Sequence, residues 1–95
     1  MAKIGFIGMG NMATAIMKGL LKEFSPEDMI FSSAHEEKME KITRETGVPH
    51  VGSNAECARQ AKYLVLAVKP QVLPRVFGEI KDVVTREQVI ISIAA

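Results

Sequence analysis

The chain has 95 residues, of which 47% are hydrophobic and 24% are charged, a composition typical of one globular domain. A formal net charge of +1 gives no sign of a nucleic-acid partner or an acidic tail. The chain has a single cysteine, Cys57, so it cannot form an internal disulfide. His35 and His50 lack the spacing of a zinc site. No apolar run approaches the roughly 20 residues of a membrane span. The composition therefore predicts a cytoplasmic domain with no metal ion and no membrane or nucleic-acid partner.

The most informative stretch lies at the amino terminus. A short apolar run, typical of a strand buried on both faces of a parallel sheet, is followed by Gly8, Gly10 and Ala13 at the spacing of the G-x-G-x-x-G/A dinucleotide fingerprint. The first glycine permits a tight turn, the second lets a pyrophosphate approach the backbone, and the alanine lets the next helix pack on the strand. A helix that begins near Asn11 or Met12 would point its free N–H groups at that pyrophosphate.

The rest of the chain alternates predicted helices and strands. Helices are predicted over residues 11–23, 35–46, 54–60 and 71–84, and strands over residues 29–32, 48–51, 63–68 and 89–93. Gly47 is a natural stop for the second helix, Ser53 and Glu56 have the spacing of a capping box, and Pro74 is tolerated only in a first helical turn. This alternation predicts a doubly wound parallel sheet of the Rossmann type, with about five strands in the order 3-2-1-4-5.

Ligands of such sheets bind beyond the carboxyl ends of the strands, where the strand order reverses. The rule places four groups of residues along one rim. They are residues 8–12, the pair Ser32 and Ser33, the run Val68, Lys69 and Pro70, and the pair Ala94 and Ala95. We therefore expect a dinucleotide site along this rim, the alternative being that the glycines mark only a structural strand-to-helix turn.

The choice of dinucleotide depends on the end of the second strand. Asp28 lies about 20 positions past the first glycine, where an NAD site carries its acidic residue, but it precedes this strand, whereas the ribose lies at the carboxyl end. There the sequence offers the hydroxyls of Ser32 and Ser33 and the imidazole of His35, which would accept a 2′-phosphate. We therefore predict NADP(H) as the preferred cofactor, with NAD(H) as the alternative. Helix capping by the serines would coexist with phosphate binding.

These motifs resemble the amino-terminal domain of pyrroline-5-carboxylate reductases. The resemblance covers essentially all 95 residues, and it is carried by residues 5–13, 32–33, 53–54, 66–71 and 92–95. Many dehydrogenases share the glycine loop. The A-V-K-P run at this distance, together with S-x-A-A on the last strand, is much more specific.

The resemblance implies which residues bind the cofactor. The glycine loop would cradle the pyrophosphate, Ser33 and Asn54 would lie near the adenosine ribose phosphate, and the later segments would line the nicotinamide side. Lys69 is expected to contribute its backbone, held by Pro70, and Asn54 has an alternative role at a helix start. The predicted cofactor-binding residues are Ile7, Gly8, Met9, Gly10, Asn11, Met12, Ser32, Ser33, Asn54, Ala67, Val68, Lys69, Pro70, Ile93, Ala94 and Ala95. No catalytic residue is assigned.

The implied reaction is hydride transfer from NAD(P)H to the C=N carbon of 1-pyrroline-5-carboxylate, which gives L-proline. Members of that family continue into a carboxyl-terminal helical domain that supplies the substrate pocket and oligomer contacts. We therefore expect residues 1–95 to be the cofactor-binding domain, inactive alone, of a homo-oligomeric reductase with a small-molecule substrate. The alternatives are another NADP-dependent reductase, such as a β-hydroxyacid dehydrogenase or a deazaflavin-dependent NADP reductase, and a non-catalytic nucleotide-binding relative. A chain that ends after its last strand should also expose an apolar sheet edge.

Overall fold

The structure, a computed structural model, describes residues 3–93 as a parallel four-stranded sheet covered by helices. The strands are β1 (Ile4–Ile7), β2 (Met29–Ser32), β3 (Tyr63–Leu66) and β4 (Val89–Ser92), in the order β2-β1-β3-β4. The α-helices are α1 (Asn11–Leu20), α2 (Glu36–Thr46), α3 (Asn54–Gln60) and α4 (Leu73–Ile80), and short 3₁₀ helices span Pro26–Asp28 and Pro70–Val72. The predicted fold class is confirmed.

The core consists of two clusters, one on each face of the sheet, because successive strand residues point to opposite faces. Phe6 of β1 packs in one cluster with Met17 of α1 and Met39 of α2. Its neighbour Ile7 packs in the other cluster with Val76 of α4. Burial of each such side chain contributes about 1.5–3 kcal/mol. The two clusters hold β1 in the interior and leave the carboxyl ends of the strands at one edge.

The segment predicted as an edge strand, residues 48–51, forms only a single bridge between Phe31 and His50. The N–H of Phe31 donates to the carbonyl of Pro49 at 3.2 Å, and the N–H of Val51 donates to the carbonyl of Phe31 at 2.9 Å. Pro49 has no N–H to extend the ladder, so the pairing stops there. The bridge lies beside β2, at the sheet edge where the prediction placed this segment. The predicted strand order is therefore retained, but the sheet has four strands instead of five.

Two predicted element boundaries also differ from the structure. β3 ends at Leu66 instead of residue 68. The N–H of the next residue, Ala67, donates to the carbonyl of Ile7 at 2.8 Å. The helix predicted over residues 71–84 is divided into the 3₁₀ helix Pro70–Val72 and the shorter α4. Pro74 lies in the first turn of α4, as its missing N–H requires.

The last strand was predicted to be buried, and this prediction is wrong. Val89, Ile90 and Ile91 are between 43% and 45% exposed. β4 pairs with β3 on one side and ends the sheet on the other, so its mostly apolar sequence does not mean burial. In the residues that the structure describes, β4 is thus an exposed apolar edge of the sheet.

Two further properties concern the described residues alone. None of the α-helices in residues 3–93 has the length and hydropathy needed to cross a membrane. The same residues contain no group of three His, Cys, Asp or Glu side chains that could hold a metal ion.

Candidate functional site

The loop between β1 and α1 has a conformation that depends on glycine. Gly8 has φ +88°, in the left-handed region that side chains disfavour. Its N–H donates to the carbonyl of Ser32 at 2.9 Å, which ties the loop to the end of β2. A Cβ on Gly8 would lie 2.5 Å from the carbonyl oxygen of Ala67. The fold itself therefore requires glycine at this position.

Gly10 differs from Gly8 because nothing in the described residues requires it. Its φ of −87° and ψ of −169° are extended values that any residue adopts. A Cβ on Gly10 would meet no heavy atom within 4 Å. The residue is exposed and lines a cleft, so the missing side chain leaves room for a group that approaches from outside.

The start of α1 is open to an anion. Gly10 is its N-cap residue and offers no side-chain hydrogen bond, and the first turn contains no acidic residue. The first N–H groups of a helix lack intrahelical partners, and the helix dipole adds partial positive charge there. The turn therefore fits a pyrophosphate, because the open space beside Gly10, which lines the cleft, adjoins helix-start amides without intrahelical partners.

The cleft encloses about 280 Å³ at the carboxyl ends of β1, β2 and β3. This volume lies just below the roughly 300–1,000 Å³ of ordinary ligand pockets. Its lining contains three basic side chains, Lys38, Lys69 and Arg75, together with His35 and no acidic residue. The cleft is thus positively charged although the chain as a whole is nearly neutral.

The structure brings most of the predicted site residues together. Those that line the cleft are Ile7, Gly8, Met9, Gly10, Ser33, Asn54, Ala67, Val68 and Lys69. Those outside the lining are Asn11, Met12, Ser32, Pro70 and Ile93. Ala94 and Ala95 lie outside the described residues. Asn11 and Met12 are the exposed first residues of α1, where the backbone and not the side chain is the expected contact.

Ser32 lies behind the cleft wall. It is 1% exposed, and its hydroxyl donates to Asn54 Oδ1 at 2.7 Å. Asn54 Nδ2 in turn donates to Glu79 Oε1 at 2.7 Å. Both ends of the Asn54 amide are therefore used within the chain, where they join the end of β2 to α3 and α4. The hydroxyl that lines the cleft is that of Ser33.

Lys38 and Arg75 were not predicted from the sequence. Each is the third residue of its helix, Lys38 in α2 and Arg75 in α4. A positive charge in the first turn of a helix is unfavourable because the dipole is positive there. For Lys38, which follows closely on the helix start predicted at residue 35, that placement is the signal by which the sequence could have indicated it, whereas the helix predicted from residue 71 places Arg75 beyond the first turn.

Asp28 lies at the opposite end of the sheet from the cleft. Its carboxylate accepts hydrogen bonds from the N–H of Ser25 at 3.1 Å and from the hydroxyl of Ser25 at 2.9 Å. It lies beside Ile4 and Tyr63, at the amino ends of β1 and β3. The carboxylate therefore caps the 3₁₀ helix and does not face the end of the sheet where a ribose would lie.

Cys57 is a packing residue. It is fully buried, and its thiol donates to the carbonyl of Phe6 at 3.5 Å. Burial raises the pKa of the Cys57 thiol to about 12. The nucleophilic thiolate is therefore not populated at neutral pH.

Comparison with known proteins gives consistent matches over the whole chain. The family model described as NADP oxidoreductase coenzyme F420-dependent matches residues 3–95. A pyrroline-5-carboxylate reductase of Methanosarcina acetivorans is 39% identical over 95 residues, which are 98% of this chain and 35% of that protein. The chain thus spans about a third of the length of the curated relatives that it matches.

Solved structures show the same similarity. A pyrroline-5-carboxylate reductase from Coxiella burnetii has a TM-score of 0.92 at 32% identity, over 99% of this chain and 36% of that one. A Plasmodium falciparum pyrroline carboxylate reductase with NADP bound has a TM-score of 0.81 at 27% identity, over 98% of this chain and 33% of that one. The resemblance inferred from the motifs is confirmed.

Proposed function

This chain belongs to the family described as NADP oxidoreductase coenzyme F420-dependent, and from this premise we propose that it is the cofactor-binding part of a pyrroline-5-carboxylate reductase. The reaction reduces the C=N bond of 1-pyrroline-5-carboxylate and yields L-proline. The nicotinamide supplies the hydride, while the protein binds and orients the cofactor and excludes water. Similarity to the Methanosarcina and Coxiella reductases along almost the whole chain supports the assignment of 1-pyrroline-5-carboxylate as the substrate.

The observation that carries the proposal is the turn at Gly10. A glycine that packing does not require stands at the start of a helix with no cap and no acidic residue in its first turn. This combination leaves backbone amides and open space for a diphosphate. Residues 7–12 would hold the pyrophosphate, Ser33 would contact the adenosine ribose phosphate, and residues 67–70 would line the nicotinamide side.

The basic cleft supports NADP(H) as the preferred cofactor. Its lining contains no carboxylate that would repel a 2′-phosphate. Titration calorimetry with NADPH and NADH tests the proposal. We expect both to bind, with a lower Kd for NADPH, whereas failure of both to bind would contradict the proposed site and tighter binding of NADH would contradict the preference.

The proposal assigns residues 1–95 to cofactor binding and the substrate pocket to other parts of the reductase. In support, the matched relatives are about three times as long as this chain. We expect the 95 residues alone to bind NADPH and not to reduce 1-pyrroline-5-carboxylate, and turnover by this polypeptide would contradict the assignment. The homo-oligomeric state of the reductase and its location in the cytoplasm stay predictions.

The description of the family favours a second candidate, a reductase that exchanges hydride between NADP and the deazaflavin coenzyme F420. The two candidates share the cofactor site and differ in the second substrate. An assay of the full-length protein with NADPH and each substrate separates them. We expect reduction of 1-pyrroline-5-carboxylate. Reduction of F420 without reduction of 1-pyrroline-5-carboxylate would favour the second candidate.

A further inference from the structure

We propose that Glu79 is a positioning residue of the cofactor site, which acts through Asn54 and Ser32 to hold the end of β2 and, with it, the glycine turn that receives the pyrophosphate. The inference rests on the proposed function, since it assumes that a dinucleotide binds at this turn. Glu79 lies outside the cleft lining, so it would affect the cofactor only through other residues.

Three hydrogen bonds connect α4 with the glycine turn. Asn54 Nδ2, at the start of α3, donates to Glu79 Oε1 in α4 at 2.7 Å. The hydroxyl of Ser32, the last residue of β2, donates to Asn54 Oδ1 at 2.7 Å. The carbonyl of the same serine accepts the N–H of Gly8 at 2.9 Å. Glu79 and Gly8 are therefore joined through two intermediate residues, although they lie far apart in the sequence.

The carboxylate of Glu79 determines which way the Asn54 amide is turned. An ionised carboxylate only accepts hydrogen bonds, so the amide nitrogen and not the amide oxygen must lie against it. Ser32 alone would not select an orientation, because a hydroxyl both donates and accepts. Glu79 thus assigns the amide oxygen to Ser32 and fixes the direction of both hydrogen bonds.

The hydroxyl of Ser32 depends on this orientation because it is buried. Ser32 is 1% exposed, and within residues 3–93 no buried side-chain N or O atom lacks a hydrogen-bond partner. A buried hydroxyl that loses its partner destabilises its surroundings. Asn54 is only half-buried, so the second hydrogen bond, to Glu79, is what restrains its amide on the side away from Ser32.

Other roles of a carboxylate in α4 do not explain Glu79. It lies in the last turn of the helix, where the dipole makes a negative charge unfavourable. Arg75 precedes it by four positions, the spacing of a helical ion pair, but within residues 3–93 the one ion pair is between Arg59 and Glu56. The hydrogen bond from Asn54 is therefore the contact that accounts for the residue.

The test is a double-mutant cycle with Glu79→Ala and Asn54→Ala, in which calorimetry measures Kd for NADPH and for NADH. We expect Glu79→Ala to weaken binding of both dinucleotides about fivefold in the unaltered chain, and less than twofold when residue 54 is already alanine. Glu79→Gln keeps an oxygen that can accept the amide N–H, so it should bind within about twofold of the unaltered chain. The control is Asp82→Ala, which removes an exposed carboxylate just after α4 and should change neither constant.

The direction of the change separates positioning from charge and from helix stability. Asn54 lines a basic cleft, so the loss of a carboxylate beside it would, through charge alone, tighten the binding of an anionic dinucleotide. Alanine is also a slightly better helix former than glutamate, so Glu79→Ala should not weaken α4. In ¹⁵N spectra of the ligand-free chain, the Gly8 amide signal should shift in Glu79→Ala and stay in place in Asp82→Ala.

Each contrary outcome has a definite meaning. Unchanged or tighter binding by Glu79→Ala, an equal loss in the Asn54→Ala background, or an equal loss in Glu79→Gln would overturn the positioning role and leave dinucleotide binding at the turn intact. An unshifted Gly8 signal, or a loss confined to NADPH, would overturn the connection to the glycine turn. Failure of the unaltered chain to bind either dinucleotide would contradict the proposed function together with the inference that rests on it.

Discussion

Two helices begin at the same cleft, and their first turns are completed in different ways. α3 begins at Ser53, whose hydroxyl accepts the N–H of Glu56 at 3.1 Å. α1 begins at Gly10, with no side-chain cap and no acid in its first turn. The start of α3 is satisfied by its own side chains, whereas the start of α1 is left for a ligand.

The energetic cost of this arrangement is small. A glycine N-cap is only a few tenths of a kcal/mol less stabilising than serine or aspartate, whereas alanine costs about 1 kcal/mol. The chain can therefore leave α1 uncapped without losing much stability. Substitutions at the two helix starts should separate stability from binding.

The largest effect is expected from Gly8→Ala, which removes the turn that directs α1 toward the cleft. The new Cβ would combine a strained φ of +88° with a contact of 2.5 Å to a backbone oxygen. We expect the free energy of unfolding to fall by about 3 kcal/mol or more. Chemical denaturation measures this loss, and Gly10→Ala is the matched control, expected to lose about 1 kcal/mol or less. Equal stability of the two variants would show that Gly8 is not under steric constraint.

Gly10→Asp would give α1 the cap that α3 already has. Aspartate can accept the first N–H groups and its charge suits the dipole, so stability should rise by about 0.5 kcal/mol. The same carboxylate would occupy the place of the pyrophosphate and repel its negative charge, so NADPH affinity should fall about 100-fold. Denaturation and calorimetry on the same variant should therefore move in opposite directions. An unchanged affinity for NADPH would refute the role of this turn.

Ser53→Ala would remove the cap of α3 and leave α1 untouched. The lost hydrogen bond should lower the free energy of unfolding by about 1 kcal/mol. NADPH affinity should stay within about twofold, because the α3 amides are not expected to bind phosphate. A tenfold loss of affinity with little loss of stability would mean that both helix starts bind the ligand.

Lys69→Ala should have the smallest effect. Lys69 lines the cleft, but it is the N-cap residue of the 3₁₀ helix Pro70–Val72, and its backbone is the expected contact. We expect NADPH affinity to fall less than tenfold, under about 1.4 kcal/mol, in calorimetric titration. A larger loss would place the Lys69 ammonium in contact with the cofactor.

The sequence predicted features that depend on local geometry. Gly8 and Gly47 have the positive φ values expected of a tight turn and a helix stop, and Ser53 caps the helix that follows it. These features follow from the backbone and from neighbours a few positions away. Pro74 in the first turn of α4 belongs to the same class.

The features that sequence reasoning missed depend on distant contacts. The buried hydroxyl of Ser32 is satisfied by Asn54, which is 22 positions away. Lys38 and Arg75 share a cleft only because α2 and α4 approach the same sheet edge. The apolar run of β4 has the pattern of an interior strand, yet Ile90 is exposed because the strand lies at the edge of the sheet.

The most direct test of this account is an NMR titration of the ¹⁵N-labelled chain with NADPH. The account predicts that the amide signals of Asn11, Met12 and Ala13, at the start of α1, shift on binding, while those of Glu56 and Cys57 in α3, which are hydrogen-bonded to Ser53, move little. If NADPH binds and the α1 amides do not shift, the uncapped helix start is not the phosphate site and the account is contradicted.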